Sequence, residues 1–204
     1  MEEIDRRFMP LNTLEGRSDV RPHMHAVNVY RDGDGLLRAI TRFIDDGIAA
    51  GDVMVFVHAF RDDEEAWAFL DRARPGARTL AEDRLVLVSF YQTAFERDGS
   101  IDVEHVARTV STLIDAAVEE GRSGLRLFVD ASRTYFDSDR VDEWFEFEAW
   151  LGRRLDSEAG LVCAYREPDL RDPDVVARVL ETHGYRFEPE PRQPSTTRWH
   201  DRAV

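Results

Sequence analysis

A three-layer α/β/α domain with a mostly parallel sheet of five or six strands is the fold class this sequence predicts. Short β-prone runs alternate with segments whose apolar residues recur every three or four positions. Some of the runs are apolar throughout, as in Val53-Met54-Val55-Phe56-Val57, the pattern of strands covered on both faces. The helical stretches between them are long enough to carry the chain back for a parallel neighbour.

The elements follow in order. Residues 1–22 are polar and unpatterned and read as a loosely docked tail; 23–188 read as the domain; 189–204, continuing a stretch rich in Pro, Arg and Thr, read as a second tail. His25 to Tyr30 is the first strand. Asp34 to Ala49 is a helix, with Leu36, Leu37, Ile40, Phe43, Ile44 and Ile48 on one face and Gly51 closing it. The second strand is Val53 to Val57, and Asp62 or Asp63 caps a helix running through Trp67, Phe69 and Leu70. Arg84 to Phe90 is the third strand. A helix from about Asp102 to Glu120 then precedes a fourth strand, Leu125 to Val129. Val141 to Leu155 is a helix capped near Ser138 or Asp139, and Leu161 to Tyr165 is a fifth strand. Asp172-Pro173 supplies the cap and first-turn proline of a last helix ending at Gly184, after which Tyr185 to Phe187 can close the sheet.

Composition excludes several function classes. The chain has 204 residues, a net charge of −14 and no lysine, so all 27 basic residues are arginine. A nucleic-acid surface needs a basic stripe, which this balance does not supply. A phosphate loop needs a lysine at the β/γ-phosphates and free backbone N–H groups. The turn where it would sit, Tyr30-Arg31-Asp32-Gly33-Asp34-Gly35, offers two aspartates that repel a triphosphate. One cysteine, Cys163, excludes an intrachain disulfide, and no Cys/His spacing points to a structural zinc site, so neither metal nor cofactor is expected. With no basic-then-apolar leader and no apolar run near the ~18 residues of a membrane span, a cytoplasmic protein off the membrane is expected.

In open α/β sheets ligands bind beyond the carboxyl ends of the strands. Here those ends are Tyr30-Arg31, His58, Phe90-Tyr91, Asp130 with Arg133, and Tyr165-Arg166, an aromatic and mixed-charge set suited to a small, partly apolar ligand. Leu127-Phe128-Val129-Asp130 has the form of a strand delivering an aspartate to magnesium, but without the lysine Asp130 reads better as a strand-end anchor. Glu148 lies on the apolar stripe of its helix with Trp144 and Leu151, so its carboxylate faces the sheet and needs a partner, for which Arg126 and Arg133 are candidates. The candidate ligand-binding residues are therefore His25, Tyr30, Arg31, His58, Tyr91, Asp130, Arg133, Glu148 and Tyr165. Phe147 and Trp150 lie outside that stripe and widen the apolar surface of the same helix; with Trp144 they are expected to read the ligand out to a partner. His183 is expected to cap a helix end, His25 and His58 to pair at most, and Cys163 to be inert packing. His23, His105 and His200 read as solvated.

Five short motifs in register resemble the MEDS domain, the sensory domain named for methanogen and methylotroph regulators, including the dichloromethane-responsive repressor. They are His25-Ala26-Val27-Asn28-Val29-Tyr30, Phe43-Ile44-Asp45-Asp46-Gly47, Asp98-Gly99-Ser100-Ile101-Asp102, Phe147-Glu148-Ala149-Trp150-Leu151, and Leu161-Val162-Cys163-Ala164-Tyr165 followed by Leu180-Glu181-Thr182-His183. The resemblance implies a RecA/KaiC-like fold that has lost its ATPase motifs and senses a small hydrocarbon-derived ligand. It further implies a separate output partner, such as a kinase, an anti-sigma factor or a DNA-binding regulator, and is compatible with self-association. Two other readings stay open at this point: a divergent ATPase using Arg31 or Arg133 in place of lysine, and an interaction adaptor with no ligand.

Overall fold

Each long strand carries apolar side chains at successive positions, and strand pleating sends alternate ones to opposite faces. In β6 (Ala159–Arg166) Leu161, Cys163 and Tyr165 join one core while Val162 and Ala164 join the other; in β5 (Leu125–Asp130) Leu127 and Val129 part from Phe128 in the same way. Two hydrophobic layers on one sheet follow directly. The computed structural model describes residues 8, 11–14, 20, 24–93, 102–122, 124–155 and 159–188.

In chain order the elements are β1 (Asn12–Leu14), β2 (His25–Tyr30), α1 (Gly33–Ala50), β3 (Val53–His58), α2 (Asp63–Ala73), α3 (Ala77–Arg84), β4 (Leu85–Ser89), α4 (Phe90–Thr93) and α5 (Val103–Glu119). β5, α6 (Ser132–Phe136), α7 (Val141–Leu155), β6, a 3-10 turn at Glu167–Leu170, α8 (Pro173–Thr182) and β7 (Tyr185–Phe187) complete it. The strands form one seven-stranded sheet in the order β1-β7-β2-β6-β5-β3-β4, and every pairing is parallel. Helices α1, α2 and α3 cover one face through Leu36, Phe43, Phe69 and Ala77; α5, α7 and α8 cover the other through Val110, Trp144, Leu151 and Val179. The three-layer α/β/α architecture expected from the sequence is the one observed.

Local rules set the boundaries. Asp32 and Asp62 are extended N-caps whose carboxylates accept from the backbone N–H of Gly35 and Glu65, and Gly51 ends α1 in the left-handed region at φ 80°. Asp172 caps α8, with Pro173 in its first turn.

Four differences from expectation have physical causes. Within residues 1–22, expected to be a polar tail, Asn12–Leu14 pairs with β7, and Phe8 and Val20 are buried in the two cores. The third strand starts and stops one residue inside the expected range, because Phe90 turns inward to open α4. Helices α3, α4 and α6 were not anticipated, being at most 8 residues long and too short to display a full amphipathic period. Neither Ser138 nor Asp139 caps α7: Ser138 donates back to the Thr134 carbonyl, and Asp139 takes a left-handed φ of 56°. The Asp98–Ile101 lead into α5 and the 189–204 tail lie outside the described residues.

Candidate functional site

Tyr30, Arg166, Asp130, His58 and Ser89 stand side by side where β2, β6, β5, β3 and β4 end. Tyr30, Asp130, Arg166 and His58 are each engaged through a polar group. The Tyr30 hydroxyl donates to Asp130 at 3.0 Å, and Arg166 bridges Asp169 and Asp137 at 2.7 Å. Arg31 pairs with Glu167 at 2.9 Å, Arg133 with Asp137 at 3.1 Å, and Tyr91 shares a hydrogen bond with Thr134 at 3.1 Å. Burial pushes the Asp130 carboxyl up to about 6, against the opposing pull of Tyr30, Arg133 and Arg166. Burial also raises the Tyr30 phenol, with the Asp130 charge adding to it, and lowers His58, whose ring meets Asp63 at 3.2 Å.

The expected aromatic pocket does not form. Tyr30 and Tyr165 point to opposite faces of the sheet, Phe90 is 2% exposed inside one core, and Tyr91 stands exposed at 47%. The suggested His25–His58 pair is likewise absent, since His25 opens β2, His58 closes β3, and two strands lie between them. Arg126 and Arg133 do not partner Glu148. Arg126 shares the face of Phe128 and binds Asp52 at 2.9 Å beneath α1, on the side of the sheet opposite α7, while Arg133 is taken by Asp137.

Glu148 instead finds its partners beneath α7. The Tyr165 hydroxyl donates to Oε2 at 2.6 Å and itself accepts from the Trp144 indole at 2.8 Å; Thr182 adds a 3.3 Å bond. His183 Nε2 lies 3.4 Å from the other carboxylate oxygen, Oε1. Against His183 packs His25, with ring centroids 4.1 Å apart, and His25 Nε2 reaches Cys163 Sγ at 3.3 Å. Burial pushes the Glu148 carboxyl up, but His183, His25 and the Tyr165 hydroxyl together hold it down at about 2. Burial, reinforced by His183, lowers His25 to about 3, and the Cys163 thiol is raised by burial and the Glu148 charge. Three of the residues expected to bind a ligand, His25, Glu148 and Tyr165, thus come together beneath α7, apart from Tyr30, Asp130 and His58. Cys163 and His183 were missed as members. The legible signals were parity, which puts Cys163 on the face of Tyr165, and Gly152, where a Cβ would stand 2.9 Å from the His25 ring.

A third feature is an apolar cleft on the same face, between the β3-β4-β5 region and helices α5 and α7. Val57, Val88, Phe90, Val110, Leu113 and Phe147 are among its walls, and its cavity volume is about 30 Å³. That is room for a very small molecule. Trp144 and Phe147, expected on an outward readout surface, are buried at 1% and 6%; Trp150 is half-buried and stacked on Phe147 at 6.1 Å. The extra apolar width of α7 is absorbed by Phe90, α5 and this cleft.

At the start of α1 the Asp32 carboxylate accepts from Gly35 N at 2.8 Å, occupying an amide that a phosphate would take. Among the described residues no helix is long and apolar enough to cross a membrane.

No curated protein matches the sequence. Among solved structures, an uncharacterized protein from Pyrococcus horikoshii, crystallised with an unknown peptide, is similar over 91% of this chain and 81% of its own, at 13% identity and a TM-score of 0.59. The flagellar accessory protein FlaH from Methanocaldococcus jannaschii is similar over 89% of this chain and 74% of its own, at 8% identity and a TM-score of 0.43. The fold is RecA/KaiC-like, an all-parallel sheet between two helical layers. Residues 24–184 match the family described as MEDS, the MEthanogen/methylotroph, DcmR Sensory domain; that span is most of the chain and holds both the apolar cleft and the Glu148 cluster, so this chain belongs to the MEDS family of sensory domains.

Proposed function

We propose that this domain senses a small, partly apolar molecule without transforming it, and that the ligand enters the cleft between the β3-β4-β5 face and helices α5 and α7. The observation that carries the reading is the character of that cleft: among the described residues its walls are valine, leucine and phenylalanine, with Thr109 the one hydroxyl residue. Such a lining rewards an apolar body and offers no group to activate a substrate. Its position supports a route for the signal. Phe147 in the wall belongs to α7 and stacks on the half-buried Trp150, so a molecule that displaces Phe147 also shifts the outer surface of that helix. The output is a separate partner, such as a kinase, an anti-sigma factor or a DNA-binding regulator, in the cytoplasm, whose reducing conditions suit the free thiol of Cys163.

An ATPase is the competing reading, and the capped start of α1 speaks against it. Asp32 and Asp34 bring negative charge where a triphosphate would need a cation, and Arg31 and Arg133 are already paired with carboxylates.

Tryptophan emission during titration with one- to four-carbon alcohols and halocarbons tests the proposal, with ATP and magnesium titrated in parallel. Saturable quenching by an apolar probe is expected, and loss of that response in Val110→Phe, which fills the cleft. An unaltered response in Val110→Phe would remove the cleft as the site. Binding of ATP with turnover would replace the sensory reading by the enzymatic one.

A further inference from the structure

Away from the apolar cleft, four elements each send one metal-ligating side chain to a common point: β2 supplies His25, α7 Glu148, β6 Cys163, and the end of α8 His183. One donor atom from each lies within 4.8 Å of the others. Two of the separations are 3.3 Å, His25 Nε2 to Cys163 Sγ, and 3.4 Å, His183 Nε2 to Glu148 Oε1. Ligand bonds of about 2.0–2.3 Å in a tetrahedron put donor atoms roughly 3.3–3.7 Å apart, so little movement closes this set around an ion.

The polar groups are also left as a metal site needs them. Glu148 Oε1 and His183 Nε2 are fully buried and, apart from facing each other at 3.4 Å without a formed hydrogen bond, have no partner among the described residues, so each has capacity left for an ion. His183 Nδ1 faces the Val179 carbonyl at 2.8 Å; a carbonyl only accepts, so Nδ1 carries a proton and Nε2 is the ring nitrogen turned to the cluster. Tyr165 and Thr182 hold the other Glu148 oxygen and aim Oε1 inward. These are the outer contacts that orient metal ligands. His25, Ala149, Gly152, Arg153, Glu181 and Thr182 line an opening to solvent, which provides a way in.

Charge and softness select the ion. One thiolate, one carboxylate and two neutral imidazoles carry two negative charges, so a divalent cation makes the buried site neutral. A mixed sulfur, nitrogen and oxygen set suits zinc and does not suit magnesium or calcium.

We propose that His25, Glu148, Cys163 and His183 form a four-coordinate zinc site that fastens α7 and α8 to β2 and β6. Binding forms the zinc–sulfur bond as the Cys163 S–H bond breaks, and the proton leaves to solvent. With four protein ligands the site is closed, a structural rather than a hydrolytic arrangement.

The test uses the full-length chain stripped with a chelator and titrated with cobalt(II), then zinc. Expected are one equivalent of cobalt, tetrahedral visible bands, a thiolate-to-cobalt charge-transfer band in the near ultraviolet, and displacement by zinc with a rise in Tm. Cys163→Ser should lose the charge-transfer band, and Glu148→Gln should weaken binding at least tenfold, while His105→Ala, at an exposed position, changes nothing. The wild-type spectrum decides the matter even if a variant fails to fold. A folded wild-type chain without the charge-transfer band, or a band that persists in Cys163→Ser, overturns the proposal; so does cobalt held by imidazoles alone.

Discussion

At the scale of the residue, buried charge was readable and its partner was not. The stripe of α7 declares that Glu148 faces the sheet and needs a donor, yet the donors to its Oε2 lie 17 and 34 positions away, on β6 and α8. Parity alone would have excluded Arg126: it alternates with Leu127, so it faces α1 and not α7. The Tyr30–Asp130 pair carries a prediction of its own. Burial raises the Asp130 carboxyl to about 6 from an ordinary value near 3.8, with Tyr30, Arg133 and Arg166 facing it. The native state therefore holds this proton to higher pH than the unfolded chain, and the stability it contributes is full below about pH 4 and lost as pH rises through 6. A shift of about 2 units is worth ~3 kcal/mol at most, and because Asp130 retains partial exposure we expect about 1–2 kcal/mol. Asp137 and Glu143, lowered by their arginine partners, slope the other way but are common to wild type and variant. Relative to wild type, Asp130→Asn should gain that 1–2 kcal/mol between pH 4 and pH 7 by urea denaturation. Parallel pH profiles would show that Asp130 titrates as it does in the unfolded chain.

At the scale of the element, long periodic segments and capped starts were legible because the information is local: α1, α2, α5, α7 and α8 each show a helical stripe, and Asp62 and Asp172 announce their helices. Contacts between elements were hidden, and Gly47 illustrates why. Within α1 it looks like a weak point, since glycine in a helix costs ~1 kcal/mol against alanine. In the structure its face presses on β3 and β5: an added Cβ would stand 2.4 Å from Met54 Sδ and 3.3 Å from Arg126 Cδ. Met54 is fully buried and Arg126 is tied to Asp52, so neither yields freely. Overpacking of ~1–3 kcal/mol then exceeds the gain in helix propensity. Gly47→Ala should lower stability by about 1 kcal/mol or more in chemical denaturation, and in a Met54→Ala background it should become neutral or favourable. A stabilised single variant would mean that α1 moves away from the sheet at no cost.

For the molecule as a whole, the sheet centre followed from sequence and its edge did not. Three-residue β1 and the isolated Phe8 and Val20 carry no periodicity, so residues 1–22 read as a tail, although Phe8 and Val20 are buried on opposite sides of the sheet. Phe8 is 1% exposed in the core beneath α5, α7 and α8, Val20 is 2% exposed in the core beneath α1, and β1 pairs along β7 between them. The family match begins at residue 24 and contains neither feature. A chain beginning at Met24 would keep that match and still lose a buried phenylalanine, worth ~3–5 kcal/mol by analogy with truncation to alanine. It would also bare the backbone of β7, an edge open to pairing with another molecule. We expect this shortened chain to melt lower by several degrees and to self-associate on size-exclusion chromatography, with Phe8→Ala in the full chain reproducing the loss of stability but not the association, because β1 still covers the edge. Equal Tm values for the shortened and full chains would show that the segment rests on the domain without supporting it, and would return residues 1–22 to the role of a tail.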